Sequence, residues 1–463
     1  MNNHRYSSLR RNAIGLKENM FQGVAGSAPA GAAVATLTGA AAYALGSLPL
    51  AAFIAFLVVF LNAFIISRLS TRIAGAGGYY YYVRNGLGSR PARFTGFLYI
   101  FYQIMALAFI SLSVGVFVPA VLGSVFGISM PGYLMYVLIV VVLAAGFLIS
   151  YSGVRESTRY TMYMAIAEMA IVAGMGVIIL MMKPSINTLS VFTPKFAYGG
   201  LSGVGIGVLL MYTAFSGFGA STPLGEESRE AEKTISRSVI FTVIVLGAFF
   251  VFSSYYFTVA WGPSNMASYA SPNNLAPGIT IISSYLGTGA AILITVLFIN
   301  SLLTGTVVVT NSTSRVMMAM ARDGIISENF SGVSSRKTPH ISAAFVSGMA
   351  AVIAIVSASV IGGFGAFIMT ATAATLGVLL VHGLINVSLP ASDMRLHRSF
   401  YGSALLSVVS IAVLGFIFYS TFMSISLPVI VGSAAFALFS VAALAISIKN
   451  MSHEIPSEIP AES

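Results

Sequence analysis

Long apolar stretches recur along the chain, and short polar stretches rich in arginine separate them. A bilayer-spanning helix needs about 20 predominantly apolar residues. The stretches 20–45, 48–69, 92–123, 132–150, 159–182, 201–223, 238–260, 278–320, 340–359, 362–387, 401–423 and 426–448 meet that need. None alternates apolar with polar residues between turns every ten or so positions, which argues against a β-barrel. The pattern predicts an all-α integral membrane protein with twelve transmembrane helices. The stretch 278–320 is too long for one straight crossing and reads as a tilted helix whose last turns leave the membrane.

Composition narrows the class. Only 8% of residues are charged and 57% are hydrophobic, whereas a soluble domain carries roughly 25% charged residues. A soluble enzyme, a disordered chain and a coiled coil are excluded. With no cysteine, disulfides, thiolate metal sites and cysteine nucleophiles are excluded as well. The net charge of +10 has a membrane explanation. With the N-terminus inside, every Lys and Arg except Lys183 and Lys195 falls on the cytoplasmic side, as the positive-inside rule requires. Both termini are then cytoplasmic, in a cell membrane, and no nucleic-acid partner is needed. Every Asp and Glu lies in a cytoplasmic loop or terminal segment except Glu168, inside the fifth stretch. No hydrolase triad, phosphate loop or metal cluster appears, so neither an enzyme nor a cofactor is expected. Gly75-Ala-Gly-Gly follows a membrane helix rather than a strand and is not a nucleotide loop.

Two segments resemble each other. Phe21-Gln-Gly-Val-Ala-Gly-Ser-Ala-Pro-Ala-Gly31 matches Phe215-Ser-Gly-Phe-Gly-Ala-Ser-Thr-Pro-Leu-Gly225 at Phe21/Phe215, Gly23/Gly217, Ser27/Ser221, Pro29/Pro223 and Gly31/Gly225. They lie in the first and sixth stretches, which cross in opposite directions. Glycine tolerates unwound backbone, and proline removes a helix hydrogen bond. Interrupted helices at corresponding places mark an inverted repeat, and unwound backbone in a membrane must be buried or line a cavity. Residues 23–30 and 215–220 are therefore expected to be non-helical and to converge near mid-membrane. N–H groups freed at the start of a half-helix suit an anion, and carbonyls freed at the end of one suit a cation. Together they suit a zwitterion. Its carboxylate would lie near Gly26, Ser27 and Ala28, its ammonium near Val24, Ala214, Phe215 and Ser216. Ala25, Gly217, Phe218 and Gly219 complete the two breaks.

These motifs resemble the amino acid–polyamine–organocation transporter superfamily. Gly77-Gly-Tyr-Tyr-Tyr-Tyr-Val-Arg-Asn-Gly-Leu-Gly88 is similar to its loop between spans two and three. Ser152-Gly-Val-Arg-Glu-Ser-Thr-Arg159 is similar to the start of span five. Gly217-Phe-Gly219 with Glu226-Glu-Ser-Arg229 resembles span six and its exit. Ser314-Arg-Val-Met-Met-Ala-Met-Ala-Arg-Asp-Gly324 with Lys337-Thr-Pro339 resembles the end of span eight and the next loop. The resemblance implies a LeuT-like fold: a 5+5 inverted repeat with helices 1 and 6 discontinuous, plus two C-terminal helices. The chain then divides into a cytoplasmic segment 1–19, a first repeat 20–182, a second repeat 201–387, a terminal helix pair 401–448 and a cytoplasmic tail 449–463. Many relatives carry an acid directly after Gly-Phe in span six, where this chain has Gly219. Some carry a lysine in span five that replaces a coupling cation.

Single residues divide between structural and functional readings. Glu168 costs about 3 kcal/mol to place at membrane depth. It either bridges helices or carries a proton while facing the carbonyls of Gly23 to Ala25. His382 is a helix bridge or a second proton site. Tyr102 is a candidate wall of the site. The tyrosine run 79–82 fits an interfacial aromatic belt. Ser301, Thr304 and Thr306 offer oxygens for Na⁺, although bonding back to the helix is the commoner fate of such hydroxyls. Met317, Met318 and Met320 read as packing, and the tail from His453 to Ser463 as disordered. The expected function is proton-coupled symport of neutral amino acids across the cytoplasmic membrane, with the substrate, protons and the lipid bilayer as partners. A Na⁺-coupled symporter or an exchanger of the same fold is the alternative, and an amine channel or sensor is a third reading.

Overall fold

A computed structural model describes residues 9–269, 276–421 and 426–449, and the expectation for the tail from His453 onward falls outside them. The described residues form helices joined by turns, with one isolated bridge between Ile14 and Ser228. In chain order the α-helices are α1 (Leu16–Gly26), α2 (Pro29–Gly31), α3 (Leu37–Ala44), α4 (Leu48–Ser70), α5 (Tyr79–Leu87), α6 (Ser89–Phe126), α7 (Leu134–Tyr151) and α8 (Val154–Met182). They continue with α9 (Leu201–Ala214), α10 (Ala231–Trp261), α11 (Pro277–Arg322), α12 (His340–Ile361), α13 (Gly363–Arg395), α14 (Tyr401–Thr421) and α15 (Leu427–Lys449).

Among the described residues, ten helical runs are long and apolar enough to cross a membrane. One of them, Leu16–Ser70, takes in the first two predicted spans together. The sixth predicted span is shorter than expected: α9 stops at Ala214, and turns replace helix through Ser221. The core lies where α6 meets α11 and α13, and where α4 runs along α10. The rim is apolar too. Leu148, Val360, Leu405, Leu438 and Val441 are all more than 60% exposed, a surface that water penalises and hydrocarbon does not. α15 buries only Gly432, Phe436, Ala443 and Ser447, which places it at the periphery.

Three expectations need correction. The long stretch is not one tilted helix: within α11, Gly287 has φ 82° and ψ 176°, a conformation open to glycine and closed to most residues. The 46 residues of α11 are two helices meeting at that kink. The first break is narrower than 23–30, because α1 remains helical through Gly26 and α2 restarts at Pro29. Finally, α5 occupies what reads in sequence as a loop. Its polar residues Arg84 and Asn85 and the glycines in and around it hide a helix that is held by packing against α6 and α13.

Candidate functional site

At the first break, Ser27 N–H and Ala28 N–H bond back to Val24 O and Ala25 O and close the end of α1. Ala28 then takes φ 43° and ψ 68°, the left-handed region, which costs a residue with a Cβ about 1–2 kcal/mol. Pro29 gives one cause, since proline disfavours the right-handed helical region for the residue before it. It then sits comfortably in the first turn of α2, where its missing N–H loses nothing. A π-helical turn, Ala32–Thr36, leads on to α3. At the second break the chain from Phe215 to Ser221 proceeds by successive tight turns, such as Phe218 N–H to Phe215 O and Ala220 N–H to Gly217 O.

The breaks touch backbone to backbone. A Cβ on Gly217 would overlap Gly26 and the Ser27 nitrogen, and one on Gly26 would lie 3.1 Å from Gly217 O. A cavity of about 60 Å³ opens beside this contact. Of the residues expected at the site, it is lined by Gly26, Ser27, Ala28, Ala214, Ser216, Gly217, Gly219 and Tyr102. Val24, Ala25, Phe215 and Phe218 are buried and do not line it; Phe215 instead packs its ring edge-on against Phe250, centroids 5.1 Å apart. The Ser27 hydroxyl is buried with no hydrogen-bond partner.

Sequence reasoning missed part of the wall. Tyr99, Gln103, Ala106, Ile110 and Ser113 share one stripe of α6 with the expected Tyr102, and their three-and-four spacing was the signal available. The tyrosine run is not an interfacial belt. Tyr79, Tyr80 and Tyr82 are buried, and Tyr79 lines the cavity with its hydroxyl where a side chain on Gly219 would go. Gln103 Nε2 donates to Tyr99 Oη at 3.0 Å. No charged side chain lines the cavity.

Glu168 is fully buried, but at the other side of the first break from the one expected. Its Oε1 accepts from Ser301 Oγ at 3.0 Å, and the carboxylate lies near the Ala30 backbone N–H. It lies by the start of α2 rather than by the carbonyls that end α1, where freed N–H groups attract an anion. Its second oxygen, Oε2, has no partner. Thr304 Oγ1 and Thr306 Oγ1 donate to their own helix, at Ser301 O and Leu303 O. His382 is buried outside the cavity wall. Its Nδ1 meets Tyr212 Oη at 2.6 Å, Nε2 has no partner, and its ring packs on Tyr79 and Phe218. Among the described residues no three His, Cys, Asp or Glu converge as a metal site.

The arginine-rich end of the bundle is tied shut. Arg315 meets Glu227 through two hydrogen bonds, at 2.5 and 3.0 Å, with both side chains fully buried. Arg322 pairs with Glu226, Arg84 with Asp323 and Arg72 with Asp393. Burial pushes the Asp323 carboxyl up, while the Tyr80 hydroxyl and the charges of Arg84 and Arg322 pull it back. The segment before α1 joins this latch: Ala13 N–H bonds Glu227 O, and Arg229 N–H bonds Ile14 O.

Residues 19–455 match a family model described as amino acid permease. The chain is 26% identical to an uncharacterized transporter of Mycobacterium tuberculosis over 77% of its length and 76% of the relative's. It is 24% identical to the branched-chain amino acid permease BcaP of Bacillus subtilis over 70% of each chain. It is 23% identical to the low-affinity putrescine importer PlaP of Escherichia coli over 62% of each. The chain belongs to the amino acid permease family, and is a multi-pass membrane transporter rather than an enzyme.

Proposed function

Taking that membership as premise, we propose that the protein is a secondary transporter of neutral amino acids, coupled to protons, in the cell membrane. The carrying observation is the uncharged cavity at the contact of the two helix breaks, where Tyr79 fills the space beside Gly219. A substrate with a second positive charge would find no carboxylate there, and an unpaired charge out of water is costly. A zwitterion finds both halves of what it needs. The Ser27 hydroxyl and the Gly31 N–H, in the first turn of α2, face its carboxylate. The carbonyls of Ala214 and Ser216, at the end of α9, face its ammonium. Spans one to five and six to ten act as the inverted repeats, with α14 and α15 outside them, and both termini lie inside.

Glu168 supplies the coupling step in this reading, with the sign opposite to the sequence-based expectation. Ionised, it attracts the N–H groups at the head of α2, Ala30 nearest. Protonated, it loses part of that attraction. A proton thereby shifts the balance between two positions of α2 beside the substrate. The hydroxyls of Thr304 and Thr306, turned back on their own helix, favour protons over Na⁺. Uptake into proteoliposomes, with pH and Na⁺ gradients imposed separately, tests the proposal. A pH gradient should drive a neutral amino acid. Putrescine or lysine carried better than any neutral amino acid, or uptake driven by Na⁺ alone, would overturn it.

A further inference from the structure

A second cavity, of about 420 Å³, lies between α6, α11, α12 and α15, away from both helix breaks. Its wall is wholly apolar and includes Phe97, Ile104, Met317, Phe330, Met349 and Phe439. It opens outward at Phe345 and Met349, which are 41% and 37% exposed, and ends inward at Met317, only 2% exposed. Water gains nothing in such a space, since it needs two to four polar partners. Amino acids are no better matched, because their charged ends would be buried without partners.

We propose that this cavity holds an acyl chain of a phospholipid from the surrounding bilayer. Three observations meet there. The mouth lies on apolar helices long enough to span the membrane, α6, α12 and α15, so hydrocarbon is the solvent at its depth. The wall offers carbon and methionine sulfur alone, and flexible methionine side chains adapt to a chain of no fixed shape. The volume is that of a linear alkyl segment rather than of a gap between side chains, which in close-packed proteins rarely exceeds a water molecule. A chain lodged here packs against the turn of α11 that follows Arg315, and against Phe330 beyond Arg322. The site therefore ties the local lipid to the latched end of the bundle.

The test uses the full chain in vesicles containing a phosphatidylcholine with a diazirine near the middle of one acyl chain. After photolysis, labelled residues are mapped by mass spectrometry. Met317 should be labelled, since a lipid that stays on the outer surface cannot reach it. Leu438, 74% exposed on α15, reports ordinary surface lipid. Two cavity-filling changes on α12, Ile353→Trp and Met349→Trp, should each abolish the Met317 label and leave that at Leu438 unchanged. Labelling of Leu438 without Met317 would overturn the proposal. So would a Met317 label that persists undiminished in both variants.

Discussion

The Gly217 contact shows what a single residue can decide. The backbones of the two breaks lie so close that a Cβ at Gly217 would overlap Gly26 and Ser27. Gly217→Ala must push the breaks apart, and overpacking of this kind costs about 1–3 kcal/mol. Uptake should fall about ten-fold or more at equal surface expression, since 1.4 kcal/mol is a factor of ten. Gly39→Ala, where a Cβ meets nothing within 4 Å, should leave uptake near that of the parent. Equal uptake by both variants would show that the contact does not matter. Glu168→Gln keeps an acceptor at the head of α2 but removes its charge, and a charge-assisted hydrogen bond is roughly twice as strong as a neutral one. The pH profile of uptake should flatten while substrate binding survives. An unchanged profile would make Glu168 structural and turn attention to buried His382, whose ring packs on Phe218 of the second break. At this scale the sequence was partly legible. Gly26, Ser27, Gly217 and Gly219 stand out through the Gly/Pro pattern, which recurs at corresponding places in two spans. The partner of Glu168 did not, because nothing local says which end of a broken helix a distant carboxylate will meet.

Among elements, the latch is the part that energetics can weigh. Glu227 and Arg315 are both fully buried, and removing one member of such a pair leaves an uncompensated charge at a cost of about 3–5 kcal/mol. Arg315→Met should therefore lower the thermal midpoint of the detergent-solubilised protein markedly. The double change Arg315→Met with Glu227→Leu should restore most of it, because apolar residues of similar volume often replace a buried pair without loss. Fluorescence-detected size exclusion after heating reads both. If Arg315→Met alone is as stable as the parent, Glu227 does not depend on Arg315 to stay buried. Long helices such as α8, α10 and α12 were legible from their apolar length. α5 was not, because its four tyrosines and its arginine read as an interface while tertiary packing makes them a buried helix. The kink at Gly287 was hidden too: Gly287 and Gly289 sit in an apolar run, and isolated glycines are common in membrane helices.

For the molecule as a whole, orientation is the claim that charge makes and geometry alone does not. The residues of the latch, Arg72, Arg84, Glu226, Glu227, Arg315, Arg322, Asp323 and Asp393, gather at one end of the bundle, whereas Lys183 and Lys195 stand apart from them in the segment between α8 and α9. Cytoplasmic loops carry the excess of Lys and Arg because translocating such charges is disfavoured. The latched end should then face the cytoplasm, and the 183–200 segment the outside. A chain with no cysteine permits a clean measurement, since any introduced thiol is the only one. Asn187→Cys, on the connection between α8 and α9, and Arg398→Cys, between α13 and α14, are both at exposed positions. In intact cells a membrane-impermeant maleimide should label Asn187→Cys and spare Arg398→Cys until the membrane is opened. The reverse pattern would invert the topology. The latched end would then be an outer gate, and the order in which the two ends open during uptake would reverse with it.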